Sequence, residues 1–165
     1  MQPTMTDKIL FIDNVRSAHN VGSMFRSSDG AGVSKIYLLG TTPTPIDRFG
    51  RIQNEIAKTS LGATESVQWE YVGTPENVST KDALACLQRL REDGYFIVAV
   101  EQSKNSTSMY DFKVPEKVVY IVGAEVEGVQ TELQQFADQV VEIPMKGMKE
   151  SLNVSVTAGI VLFQK

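Results

Sequence analysis

Apolar residues in this chain come in short blocks divided by polar stretches, and the spacing changes from block to block. Lys8–Asp13 is a continuous apolar run, too short for a helix, and predicts a buried strand. Asn14–Asn20 is polar. Val21, Met24, Phe25 and Ser28 then fall at helical spacing, which predicts a helix running to Ala31 with Gly32 as its C-terminal cap and Arg26 off the apolar face. Lys35–Gly40 is a second strand. Strand, helix and strand within forty residues make a βαβ unit.

Thr41–Pro45 reads as a stiff extended loop, and Ile46–Ser60 as mixed sequence holding a short helix. Val67–Val72 is a third strand. Thr80–Asp93 is the clearest amphipathic helix, capped by Ser79 or Thr80 and ended by Gly94. Tyr95–Glu101 is a strand apolar on both faces, Gln102–Asp111 a polar loop, and Val118–Gly123 a fifth strand. Val129–Ala137 is a helix and Gln139–Ile143 a sixth strand. The last stretch, Leu152–Phe163, fits either period, and its length favours helix. As some of the most apolar sequence in the protein, it is expected to be buried. The pattern predicts an α/β domain with a mostly parallel sheet of about six strands flanked by helices.

Composition narrows the chemistry. The 165 residues suffice for one domain with a real core, and the 42% apolar and 22% charged fractions are those of an ordinary globular protein. No apolar run reaches the ~20 residues that cross a bilayer, and Met1–Asp7 shows no leader signature, so the expected location is cytoplasmic. One cysteine and one histidine leave no ordinary zinc site and no intrachain disulfide. Cys86 lies on an apolar helix face and is expected in the core. His19 lacks the Gly-x-Ser-x-Gly elbow of a hydrolase. A net charge of -4 does not suit a chain built to coat nucleic acid, yet permits a local basic face.

Three polar clusters fall where parallel strands end, the place where open α/β sheets bind ligands. The first runs from Asn14 through Arg16, Asn20 and Gly22 to Arg26. Gly22 near a helix start lets backbone come close to a partner, and Arg26, six residues after Asn20, can share its site. The second is Gly123-Ala-Glu125-Val-Glu-Gly128, glycines bracketing a carboxylate straight after an apolar strand. The third runs from Ile143-Pro-Met145 to Ser151-Leu152-Asn153. Each alone is commonplace: a turn glycine, a solvated arginine, a capping asparagine. Neither the Gly-x-Gly-x-x-Gly nor the Walker fingerprint is present, so a nucleotide-type ligand has to be held in another way.

Together, in this order and spacing, the three clusters resemble the SpoU (TrmH-like) branch of the SPOUT RNA methyltransferases, over nearly the whole chain from Asn14 to Lys165. The resemblance implies a catalytic domain with a deep C-terminal trefoil knot and a helix at the end of the chain; in departure from larger relatives, a single domain over residues 1–165 is expected, without a separate RNA-binding domain. It implies S-adenosylmethionine as cofactor, held by Val100, Glu101, Gly123, Glu125, Gly128, Ile143, Met145, Ser151, Leu152 and Asn153. It implies a homodimer with no metal and no membrane partner, and methyl transfer to a ribose 2′-hydroxyl in tRNA or rRNA, of which the small size of the chain favours tRNA, with rRNA as the alternative.

The same likeness assigns catalytic roles to Asn20, Arg26, Glu125, Ser151 and Asn153. Asn20, Ser151 and Asn153 donate and accept hydrogen bonds, which suits positioning of ribose and cofactor. A guanidinium stays protonated near neutrality and is a poor base. Arg26 is therefore expected to stabilise a developing alkoxide beside the partner subunit's cofactor, with Glu125 orienting it or other polar groups. His19 is expected to be a bystander or an RNA contact. Arg16, Arg26, Arg48, Arg51, Lys58, Lys146 and Lys149 are the phosphate-contact candidates and are expected to cluster on one face of the dimer. Two rival readings are weaker. An inactive RNA-binding module would need a break in Asn20, Arg26, Ser151 or Asn153, and none is broken. A nicotinamide-binding domain would need the missing glycine fingerprint.

Overall fold

A computed structural model describes residues 5–74 and 80–165. Its centre is a seven-stranded sheet in the order β3-β2-β1-β6-β4-β7-β5, with every pairing parallel. The strands are β1 (Asp7–Asp13), β2 (Val33–Leu39), β3 (Gln68–Val72), β4 (Phe96–Val100), β5 (Thr107–Ser108), β6 (Lys117–Gly123) and β7 (Gln139–Glu142). The seventh strand, β5, lies in the stretch expected to be loop. It is two residues long on the edge of the sheet, below the length at which alternation can be read.

Helices cover both faces: α1 (Ala18–Ala31), α2 (Asn54–Ser60), α3 (Ala63–Ser66), α4 (Thr80–Glu92), α5 (Thr131–Phe136) and α6 (Val154–Leu162). Because successive strand residues point to opposite faces, each strand feeds two cores. Leu10, Ile12, Ile36, Leu38, Val98 and Tyr120 pack with Met24, Phe25, Ile56 and Leu162 on one side. Ile9, Phe11, Leu39, Ile97, Val119 and Ile121 pack with Cys86, Leu87 and Leu133 on the other. Cys86 is in the core, as expected, and burial pushes its thiol pKa up. Ser79, one of the two expected caps of α4, lies outside the described residues.

Helix α1 begins three residues earlier than its apolar face suggests, because Ser17 caps it by accepting the Asn20 N–H. Asn20 therefore sits inside the helix. Gly22 serves packing between helices of this chain rather than a ligand. A Cβ there would lie 1.9 Å from Thr59 Oγ1 and 2.6 Å from the Ile56 carbonyl oxygen of α2. The final segment is a helix. Lys8, buried, donates its amine to the carbonyl oxygens of Leu162 (2.6 Å) and Gln164 (3.3 Å), which ties the chain end to β1. The expected burial holds for one face only: Val154, Ala158, Val161 and Leu162 are buried, whereas Val156, Ile160 and Phe163 are 48%, 37% and 57% exposed.

Candidate active site

The ends of β4, β6 and β7 open into a cleft of about 160 Å³. Nine of the ten expected cofactor residues line it: Val100, Glu101, Gly123, Glu125, Gly128, Ile143, Met145, Ser151 and Leu152. The tenth, Asn153, stands at its rim, hydrogen-bonded to Glu125. Sequence reasoning missed Gln102, Glu142 and Thr157, which also line the cleft. Thr157 was findable, since a helix starting after Asn153 puts position 157 one turn above it.

One wall is the loop after β6, and it is tightly held. Gly123 and Gly128 are required there by the fold of the chain upon itself. A Cβ on Gly123 would come within 2.3 Å of the Gly128 carbonyl and the Val129 nitrogen. One on Gly128, at φ +69°, would meet the Glu101 carboxylate at 2.1 Å. The Gly128 N–H closes the turn onto the Ala124 carbonyl at 2.8 Å. Glu101 Oε2 accepts the Val129 N–H at 3.0 Å, so this expected cofactor residue also braces the loop. Asp13, fully buried at the end of β1, accepts the Gln130 backbone N–H (2.9 Å) and side-chain amide (2.6 Å). Burial raises the Asp13 pKa, and the Gln130 bonds pull against that shift. Its role was missed because a strand-end aspartate looks like any turn residue.

The opposite wall is residues 144–152. No backbone or side-chain group of these nine residues hydrogen-bonds to any described residue. Lys146–Ser151 are exposed, with Met148 at 99%. The loop therefore offers a ligand its own amides and carbonyls, which otherwise face water.

Between the walls the three clusters of the sequence meet. Asn20 Nδ2 donates to Glu125 Oε1 at 3.2 Å, and Asn153 Nδ2 donates to the same oxygen at 3.2 Å and to Asn20 Oδ1 at 3.3 Å. Residues 105 and 133 positions apart in the chain thus share one network. Asn153 also caps α6, its Oδ1 accepting the Ser155 N–H at 2.9 Å. One side chain thus caps the last helix and joins the network beside the cleft. Ser151 lines the cleft with its hydroxyl uncommitted among the described residues.

Arg26 does not join this network. At about 100° per helical residue, six positions turn it well away from Asn20. It lies exposed in a shallow cavity with Asp29, Ser60, Gly62 and Ser66. Within this chain Glu125 holds the two asparagines and not Arg26. Of the other cations, Arg16 borders a hollow with Asn14, Asn20 and Glu125, and Arg48 and Arg51 line a cavity beside the end of β2. Lys146 and Lys149 stand on the exposed loop, and Lys58 and His19 are exposed on their helices.

Residues 7–163 match the SpoU rRNA Methylase family. The chain belongs to that family. Among SpoU methylases it is 32% identical over 165 residues to a tRNA (guanosine(18)-2′-O)-methyltransferase of Aquifex aeolicus, covering 99% of this chain and 71% of that one. It is 31% identical over 156 residues to the 23S rRNA (guanosine-2′-O-)-methyltransferase RlmB of Salmonella typhi, covering 94% of this chain and 58% of that one. The AdoMet-bound rRNA methyltransferase of Sinorhizobium meliloti superposes with a TM-score of 0.81 at 26% identity, over 99% of this chain and 57% of that one. The chain thus spans little more than half the length of several SpoU relatives. The parallel sheet flanked by helices is the fold of these methyltransferases.

Fitness for S-adenosylmethionine can be judged on the cleft itself. Its floor is apolar (Val100, Val122, Ile143, Leu152, Val154), and its charged lining consists of Glu101, Glu125, Glu127 and Glu142 with no lysine, arginine or histidine. Such a site suits a flat base together with a cationic group. It repels the pyrophosphate of a nicotinamide cofactor or of ATP.

Proposed function

We propose that this chain is an S-adenosylmethionine-dependent RNA methyltransferase acting on a ribose 2′-hydroxyl, in the cytoplasm, with tRNA as substrate ahead of rRNA. The observation that carries this reading is an all-carboxylate, cation-free cleft at the strand ends, adjoining the Asn20–Glu125–Asn153 network. Family membership and the names of the relatives support it.

When bound, S-adenosylmethionine supplies a methyl group made electrophilic by a sulfonium. The residues of this chain do the rest. The four glutamates attract the cation, and the bare amides of 144–152 hold polar edges of the ligand. Asn20, Ser151 and Asn153 orient the ribose so that its hydroxyl lines up for in-line attack, which can contribute several kcal/mol toward the barrier, on the order of 7 or more at best.

Arg26 acts on the partner's site in this reading. Helix α1 packs on α6: Ser27 Oγ lies 3.6 Å from where a Gly159 Cβ would be, and the Phe163 ring lies 3.3 Å from that of Gly30. Arg26 is exposed on α1, next to Ser27, and a second copy of the chain covers the exposed Val156–Ile160–Phe163 stripe. There Arg26 stabilises negative charge developing on the substrate oxygen.

The test has two parts. Labelled S-adenosylmethionine and unfractionated tRNA or rRNA should give a 2′-O-methylated nucleotide, and the cofactor but not NAD should raise the melting temperature. A shift with NAD alone removes the reading. Arg26→Ala should abolish transfer and keep cofactor binding, whereas Asn153→Ala should impair both. Mixing the two inactive variants should restore transfer if the site is shared, and continued inactivity of confirmed mixed dimers rejects the shared site.

A further inference from the structure

The segment after β2 builds a device that the cleft chemistry leaves unexplained. Residues 46–52 fold into a miniature hairpin closed by a bridge between Ile46 and Ile52. One carboxylate organises its tip. Asp47 Oδ1 accepts the Phe49 and Arg51 backbone N–H groups, both at 2.9 Å, and Oδ2 accepts Arg51 Nε at 2.8 Å. The backbone adds Asp47 N–H to the Arg51 carbonyl at 2.9 Å and Gly50 N–H to the Asp47 carbonyl at 3.0 Å, with Gly50 at φ +76°. These bonds hold the Asp47 carboxyl below the usual aspartate range.

This order in the turn fixes a cluster of planar groups. The guanidinium carbons of Arg48 and Arg51 lie 4.8 and 5.0 Å from the centroid of the Phe49 ring. Phe49 remains 66% exposed. A phenylalanine projected into water costs solubility, and a bonded turn that holds two cations against it is an arrangement for stacking. Aromatic rings and arginine planes are the surfaces on which unpaired bases stack, and the charges suit the flanking phosphates.

Position sets the partner. The hairpin flanks a cavity formed with Gly40, Thr42 and Tyr71 at the C-terminal end of β2. Asn14, at the end of neighbouring β1, accepts the Thr41 N–H at 3.0 Å and borders the hollow that holds Arg16, Asn20 and Glu125. The hairpin, that hollow and the cleft therefore all lie at the C-terminal ends of the strands. The charged residues that line the cleft are all carboxylates, which disfavour a phosphodiester backbone there, so a strand reaching it is better held from outside.

We infer that the Arg48–Phe49–Arg51 tip is a stacking platform for an unpaired nucleotide of the RNA, a few positions from the one whose ribose enters the site. The inference rests on the methyltransferase reading, and its test separates the two. The full chain carrying Phe49→Ala should bind unfractionated tRNA or rRNA about tenfold or more weakly and show a raised KM for RNA. S-adenosylmethionine affinity should stay at the parent value. Phe49→Trp, in a Trp69→Phe background, should keep RNA affinity, and its fluorescence should be quenched by RNA. Arg51→Glu should weaken RNA binding and flatten its salt dependence.

Unchanged RNA affinity in Phe49→Ala, or an unquenched tryptophan at saturating RNA, overturns the platform while leaving the methyltransferase reading intact. A loss seen only with another protein present makes the tip a protein contact and also overturns it. Absence of cofactor binding in the parent chain sinks the underlying reading instead.

Discussion

The two walls of the cleft are built on opposite principles. Residues 123–131 are clamped by Glu101 and Asp13, by a closed turn, and by two glycines that leave no room for a Cβ. Residues 144–152 make no hydrogen bond to any described residue and stand mostly in water. One wall is finished before a ligand arrives. The other keeps its backbone groups for the ligand, and ordering them is part of the cost of binding. A site divided in this way fixes the position of Glu125 while letting the opposite loop close over what enters.

The comparison can be broken most severely at Gly123. Gly123→Val forces a side chain into the Gly128 and Val129 backbone and should cost about 3 kcal/mol in urea unfolding, together with cofactor binding. Glu101→Ala leaves the Val129 N–H without its acceptor, so a loss of about 1–3 kcal/mol is expected by the same measurement. Hydrogen exchange should then sharpen the contrast. Saturating S-adenosylmethionine should slow exchange in residues 144–152 roughly tenfold or more and barely alter 123–131. Equal protection of both walls would contradict the division of labour.

A smaller effect should come from Asp13. Its pKa is raised in the fold, so the protonated form is the one that folding favours. Its contribution is fully present below the ordinary aspartate value and is lost as pH rises through the raised folded value. Asp13→Asn should remove that decline, visible as a flatter plot of urea midpoint against pH than the parent gives. The smallest effect belongs to the bare wall. Gly147→Ala places a Cβ where nothing lies within 4 Å, and stability should move by no more than about 0.5 kcal/mol.

The chain itself decided most strands and helices, because burial on both faces leaves a short continuous apolar run such as Ile9–Ile12, and burial of one helix face imposes the period seen in Leu84–Leu90. It also carried the three clusters, among them Gly123 and Gly128, where a Cβ would strike neighbouring atoms, and Glu125 and Asn153, whose side chains hydrogen-bond to each other. What it could not display was contact between distant positions. That Asn20 and Asn153 meet on Glu125 while Arg26 turns away, that Asp13 and Glu101 brace a loop, and that one stripe of α6 stays bare were all settled in three dimensions. Hydrogen bonds across more than a hundred residues leave no local period in the chain, and two-residue β5 is too brief to leave one. The sequence determined which groups the protein has to offer, and the packing of the sheet decided which of them face one another.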